Sequence, residues 1–148
     1  MELDAEHRQL VAPVPGLLLN IDVPDMAAGE AFYCQALGLE VGRRFGADFV
    51  ELLGAPAPIY LLKKDGGTSI GPAGGDMRRY ARHWTPIHPD FVVEDIEQAT
   101  ERVLAAGAVQ EAAVREARYG RIAMFADPFG HGFCLIEFNQ EGYDAIAN

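Results

Sequence analysis

His88 and Asp90 stand two positions apart at the head of the apolar run Pro89-Asp90-Phe91-Val92-Val93. In an extended chain, side chains two apart point to one face. An imidazole and a carboxylate would then lie side by side, an arrangement suited to general-base chemistry near neutral pH. The plainer alternative is a hydrogen-bonded residue at a sheet edge, with Asp90 facing water. A thiol, Cys134, lies in Phe133-Cys134-Leu135-Ile136-Glu137-Phe138 and shares a face with Ile136. It has no basic neighbour in sequence, and a thiol in apolar surroundings is ordinarily inert. Asp127-Pro128-Phe129-Gly130-His131 is turn chemistry, with proline presetting one dihedral and glycine free to take positive φ. Asp127 and His131 are therefore read as structural, the first through an Asx-type turn and the second on a backbone carbonyl.

The elements that must position these groups come in two similar sets. Leu17 to Val23 predicts a strand, Asp25 an N-cap, and Met26, Gly29, Phe32, Tyr33 and Leu37 a helical stripe that Gly38 ends. Gly29 on that stripe suggests close approach to another backbone. Strands are predicted at Leu39 to Phe45, Asp48 to Leu53 and Ile59 to Lys63. After the glycine-rich stretch 64–86 the pattern returns: a strand at Pro89 to Val93, Asp95 as N-cap with Gln98 in its capping-box position, and Ile96, Ala99, Val103 and Ala106 as the stripe. Gly107 closes this helix, and strands follow at Ala108 to Val114, Gly120 to Phe125 and Phe133 to Phe138. Laying Asp95 on Asp25 brings Gly107 within one residue of Gly38. The chain thus holds two β-α-β-β-β units with a period of about 70 residues. Strands that mostly follow one another without crossover helices make this α+β. Residues 1–15 are read as an N-terminal extension, 16–138 as one domain and 139–148 as a tail. Within the domain, module one covers about 16–64, a linker or lid about 65–86, and module two about 87–138.

With 148 residues the chain fits one compact unit. A formal charge of −10 argues against nucleic acid, which rewards clustered Lys and Arg. No apolar run approaches the ~18 residues of a membrane span, and Met1 to Gln9 lacks the pattern of a signal peptide, so a cytoplasmic protein is expected. Two cysteines, Cys34 and Cys134, are read as free thiols.

The tandem units, Ala31-Phe32-Tyr33-x-x-x-Leu37-Gly38-Leu39 and Asp127-Pro128-Phe129-Gly130-His131 together resemble the vicinal oxygen chelate superfamily over about Gly16 to Phe138. That group includes glyoxalase I, bleomycin-resistance proteins, extradiol dioxygenases and fosfomycin-resistance enzymes. The resemblance implies paired modules forming a U-shaped sheet around a cleft, often in a homodimer. It also implies that metal-binding members take ligands from four strand positions. Here these fall on Leu18, Tyr60 (or Leu62), His88 and Cys134, so His88 is the one matching ligand. A hard divalent ion needs several oxygen or nitrogen donors, and Leu18 supplies none. No metal or other cofactor is therefore expected, and a rebuilt site using His88 with His83, His131 or Glu51 is the disfavoured alternative.

By parity the cleft should carry Leu18, Asn20, Tyr60, Leu62, His88, Asp90, Val92, Cys134 and Ile136, a mostly apolar surface with a few polar groups. Phe45, Trp84, Tyr119 and Arg121 are candidate rim residues, since an aromatic plate beside a cation suits a planar or anionic ligand. The expected function is binding of a small planar or apolar molecule without the usual metal. The rival is an enzyme: a metal-dependent lyase or dioxygenase with a substituted centre, or a metal-free acid–base catalyst using His88 with Asp90 or Tyr60. A homodimer is expected as partner, with neither nucleic acid nor membrane.

Overall fold

Asp25 and Asp95 each adopt extended backbone and accept hydrogen bonds from the first turn of the helix that follows: Asp25 from Ala28 N, Asp95 from Glu97 N and Gln98 N. The side chain of Gln98 returns no bond to Asp95, so only half of the capping box forms. Gly38 and Gly107 end the two helices in the left-handed conformation that glycine adopts without steric cost. These local devices set the frame of a computed structural model that describes residues 14–148. The expected N-terminal extension therefore lies almost wholly outside the described residues.

Module one comprises β1 (Leu19–Val23), α1 (Met26–Leu37), β2 (Glu40–Arg44), β3 (Phe49–Leu53) and β4 (Ile59–Lys63). Module two comprises β5 (Asp90–Val92), α2 (Ile96–Ala106), β6 (Val109–Ala117), β7 (Gly120–Ala126) and β8 (Gly132–Phe138). Their sheets share one topology. The order is β1-β4-β3-β2 in one and β5-β8-β7-β6 in the other, with β1 parallel to β4 and β5 parallel to β8. The fold is α+β with two tandem modules, as the sequence implied. Among the described residues the sheets are not hydrogen-bonded to each other, and β1 and β5 are both edge strands.

Strand parity sorts the side chains. On the helix-covered side of the first sheet, Val23, Val50, Leu52, Ile59 and Leu61 pack with Phe32, Tyr33 and Ala36. In module two Leu135, Phe125 and Phe133 pack with Ile96 and Val103, and the two sets form one continuous core. Gly29 is small for a reason different from the expected one. A Cβ there would sit 3.1 Å from both methyls of Val23 and 3.2 Å from Leu61, so the close approach is to side chains rather than backbone.

The stretch 64–86 is tied down along much of its length. Residues 67–78 form a small hairpin bridged at Ser69 and Met77. Arg78 then reaches Asp22, and Tyr80 donates to the carbonyl of Lys64 at 2.6 Å. The tail closes as a short 3₁₀ helix, Gly142–Ile146, with Tyr143 packed edge-on against Tyr119 and Phe138. Among the described residues no helix is long and apolar enough to cross a membrane.

Candidate functional site

The faces that the helices leave uncovered carry two groups of polar side chains. On the second sheet, Asp90 opens β5 directly opposite Cys134 of β8, and the parity of the strand puts both on the uncovered side. His88, two residues earlier, brings Nδ1 to 3.1 Å from Asp90 Oδ1. The ligand-capable atoms of His88, Asp90 and Cys134 all lie within 4.8 Å of one another. Burial first, and then the neighbouring Asp90 carboxylate, push the Cys134 thiol up to about 11. It is therefore a protonated group at neutral pH, not a poised nucleophile.

The linker meets this group from above. The rings of Trp84 and His88 make an edge contact at 5.2 Å between centroids. Arg82 lies 4.4 Å over the Trp84 ring and chelates Glu111 of β6 through two nitrogens, which lowers the Glu111 pKa. Gly132 explains how Trp84 gets so close: a Cβ there would stand 2.8 Å from the indole and from Arg82. Only glycine leaves that space.

On the first sheet, Glu51 sits between Tyr60 of β4, its register partner, and Arg43 of β2. Its carboxylate accepts from Arg43 Nη2 at 2.7 Å, Arg43 Nε at 3.1 Å, the Arg43 backbone N–H at 3.1 Å and Tyr60 OH at 2.9 Å. These bonds, the guanidinium's foremost, hold Glu51 down to about 2 although the residue is only 6% exposed. Phe45, Phe49 and Tyr60 form a row of rings beside it, at centroid spacings of 4.9 and 5.3 Å, with Arg43 over Phe45. Leu62 stands opposite Phe49, and Asn20 opposite Tyr60.

The structure thus brings His88, Asp90, Cys134 and Trp84 together, with Ile136 one step along β8. It puts Asn20, Phe45, Tyr60 and Leu62 on the first sheet. Leu18 precedes β1 and is 58% exposed. Tyr119 and Arg121 are placed elsewhere. Tyr119 packs on Phe138 at the far end of β8. Arg121 pairs with Glu137 and with Glu97 of α2, so its guanidinium is drawn to the helix side. Sequence reasoning missed Arg43 and Gly132, and noted Glu51 only as a spare ligand. A carboxylate inside the apolar strand Phe49–Leu53 signals a partner, since carboxylates are seldom buried unpaired; only the register shows which.

These donors do not fit the hard, oxygen- and nitrogen-rich ion implied by the resemblance. Leu18 has no donor atom, and the Glu51 carboxylate is saturated by Arg43 and Tyr60. What remains is a mixed nitrogen, oxygen and sulfur set on one sheet, a combination that suits a borderline ion such as Zn²⁺ better than Mg²⁺ or Mn²⁺. The alternative partners for His88, namely His83, His131 and Glu51, are not part of this group.

Comparison with known proteins agrees with the fold. A family model described as a glyoxalase-like domain matches residues 19–136. An uncharacterised protein of Mycobacterium bovis is 32% identical over 127 residues, spanning 82% of each chain. A mutant of the fosfomycin resistance protein FosX from Listeria monocytogenes, solved with Mn(II) and 1S,2S-dihydroxypropylphosphonic acid, superposes with a TM-score of 0.66. That match is 22% identical and covers 87% of this chain and 94% of FosX. Lactoylglutathione lyase from Agrobacterium tumefaciens gives 0.58 at 16% identity, over 84% and 94% of the two chains. At these identities the structural likenesses speak to architecture, while the family model spans both modules from β1 to β8. The chain belongs to the glyoxalase-like domain family of the vicinal oxygen chelate superfamily.

Proposed function

We propose that this glyoxalase-like protein binds a small planar or apolar molecule on its uncovered sheet faces without the hard divalent metal typical of the superfamily. The observation that carries the reading is the state of Glu51. Glu51, the buried carboxylate on the first sheet's uncovered face, is consumed by Arg43 and Tyr60, and the rings of Phe45, Phe49 and Tyr60 lie beside it. Such a face, with few polar groups, is what small-molecule sites are made of. The test is elemental analysis of native, chelator-free protein together with calorimetric titration of Mn²⁺, Fe²⁺, Ni²⁺ and Zn²⁺. Absence of binding at micromolar concentration supports the reading. Stoichiometric metal that is lost in His88→Ala overturns it.

The second reading, a lyase or dioxygenase with a substituted metal centre, is favoured by one observation: the 4.8 Å grouping of His88, Asp90 and Cys134. The 3.1 Å contact of His88 with Asp90 would also serve a metal-free acid–base reaction.

A homodimer belongs to the same proposal. Leu18, Phe45, Leu53 and Val92 are exposed apolar side chains, and β5 is an open edge, a combination that a second copy would cover. Sedimentation of the full chain at micromolar concentration checks this. Two free thiols and no disulfide among the described residues support a reducing, cytoplasmic setting.

A further inference from the structure

Between the outer edge of β1 and the segment joining the two modules lies a pocket of about 360 Å³. It is separate from both groups described above: His88, Asp90, Cys134, Glu51 and Tyr60 are not among its lining residues. Its apolar lining includes Tyr33, Phe129 and Phe133, which are buried core residues. Arg79, Tyr80 and Ala81 come from the linker side. The volume is that of a small organic molecule.

The polar groups around the pocket indicate what kind of molecule. Both acceptors of Asp22 are already used. Arg78 Nε donates to the Asp22 carboxylate at 2.9 Å, and His131 Nε2 donates to the Asp22 carbonyl at 2.7 Å. Several donors are not used. Leu19 N bonds to Pro58 O, and Val23 O accepts from Lys64 N, so the odd-numbered residues of β1 face β4. The amides of Asn20 and Asp22 point the other way, off the open edge, and among the described residues nothing accepts from them. Arg79 forms an exposed ion pair with Asp76 at 3.7 Å, beyond hydrogen-bond reach, so its N–H groups are not committed to that carboxylate. An apolar pocket with spare donors at its edge, and with both Asp22 acceptors engaged, suits an anion attached to an apolar body.

We propose that this pocket binds a small aromatic monocarboxylate. Its ring lies against Tyr33, Phe129 and Phe133, and its carboxylate meets Arg79 and the open-edge amides of β1. The net charge of −10 works against anions in general, so recognition depends on these local donors.

The test uses benzoate as probe, titrated into the ¹⁵N-labelled full chain while amide shifts are followed. Saturable shifts at Asn20, Ile21 and Asp22, with the amides of Asp90 and Cys134 unmoved, are expected. Arg79→Ala should weaken binding about tenfold, the effect of losing one charge-assisted contact. Ala81→Trp should abolish binding by filling the space, with the melting temperature unchanged as the control for folding. Benzamide, the neutral analogue, should bind at least tenfold more weakly. Equal binding of benzamide, or undiminished affinity in Arg79→Ala, overturns the anion assignment. Shifts centred on Asp90 and Cys134 move the ligand to the uncovered sheet face and overturn the pocket. No saturable shift up to about 10 mM benzoate overturns the proposal outright. None of these outcomes depends on whether the chain binds metal.

Discussion

Tyr33 of α1 donates its phenolic hydrogen bond to the carboxylate of Asp127, 94 positions further along the chain. The other oxygen of that carboxylate accepts from Phe129 N at 2.8 Å and His131 N at 2.9 Å. One buried group therefore shapes the β7–β8 turn and fastens it to the helix of the other module. The Tyr33 hydroxyl titrates well above its ordinary value, because of burial first and the adjacent carboxylate second. Tyr33→Phe leaves a buried acceptor short of one partner, which costs about 1–3 kcal/mol. Urea denaturation should show that loss in a single transition. Asp127→Ala should cost more, since it also releases the two turn amides.

Gly132→Ala should unseat the linker. The added methyl meets the Trp84 ring and Arg82 at 2.8 Å, a clash that the side chains can relieve only by moving off the sheet. Trp84 is the sole tryptophan, so its fluorescence reports the change without ambiguity. A red-shifted emission and a stability loss of about 1–3 kcal/mol are expected. Unchanged emission would mean that Trp84 does not rest on Gly132 in solution.

Glu51 makes stability depend on acid. Its folded pKa near 2 lies below the ordinary 4.5, so its ionised form is favoured by folding. The stabilisation is complete above about pH 4.5 and is lost as pH falls from there toward 2. Glu51→Gln should be less stable than the parent at pH 7, and the gap should close across that window. Urea midpoints at several pH values decide it.

The two thiols should react slowly. Cys134 is 3% exposed, with its pKa pushed up to about 11, and burial also raises Cys34. At pH 8 a disulfide reagent should label Cys34 before Cys134. Cys134 should become fully reactive only on unfolding. Rapid labelling of Cys134 in the native protein would identify an activated thiol.

His88→Ala should change stability by no more than about 0.5 kcal/mol, because the side chain is partly exposed and anchors no core stripe. A large fall in melting temperature would make His88 a structural residue and weaken every functional role suggested for it.

What the sequence by itself determined is what short-range chemistry controls. Asp25 and Gly38, and Asp95 and Gly107, bound the two helices because capping acts within one turn. Asp127 to His131 makes its turn for the same reason. The alternation of apolar residues identified the strands, and their repetition revealed the two modules. Parity was also enough to put His88, Asp90 and Cys134 on one face. Tertiary structure alone decided which groups meet across strands and between modules. Glu51 finds Arg43 and Tyr60 through the register of three strands, and a shift of one residue would turn it to the opposite face. Arg121 turns to the helix side because Glu97 and Glu137 converge there. Trp84 settles on Gly132 because a residue 48 positions away lacks a Cβ. These pairings depend on relative placement of distant segments, which no local pattern encodes. The pocket beside β1 likewise exists only because the joining segment packs against that edge.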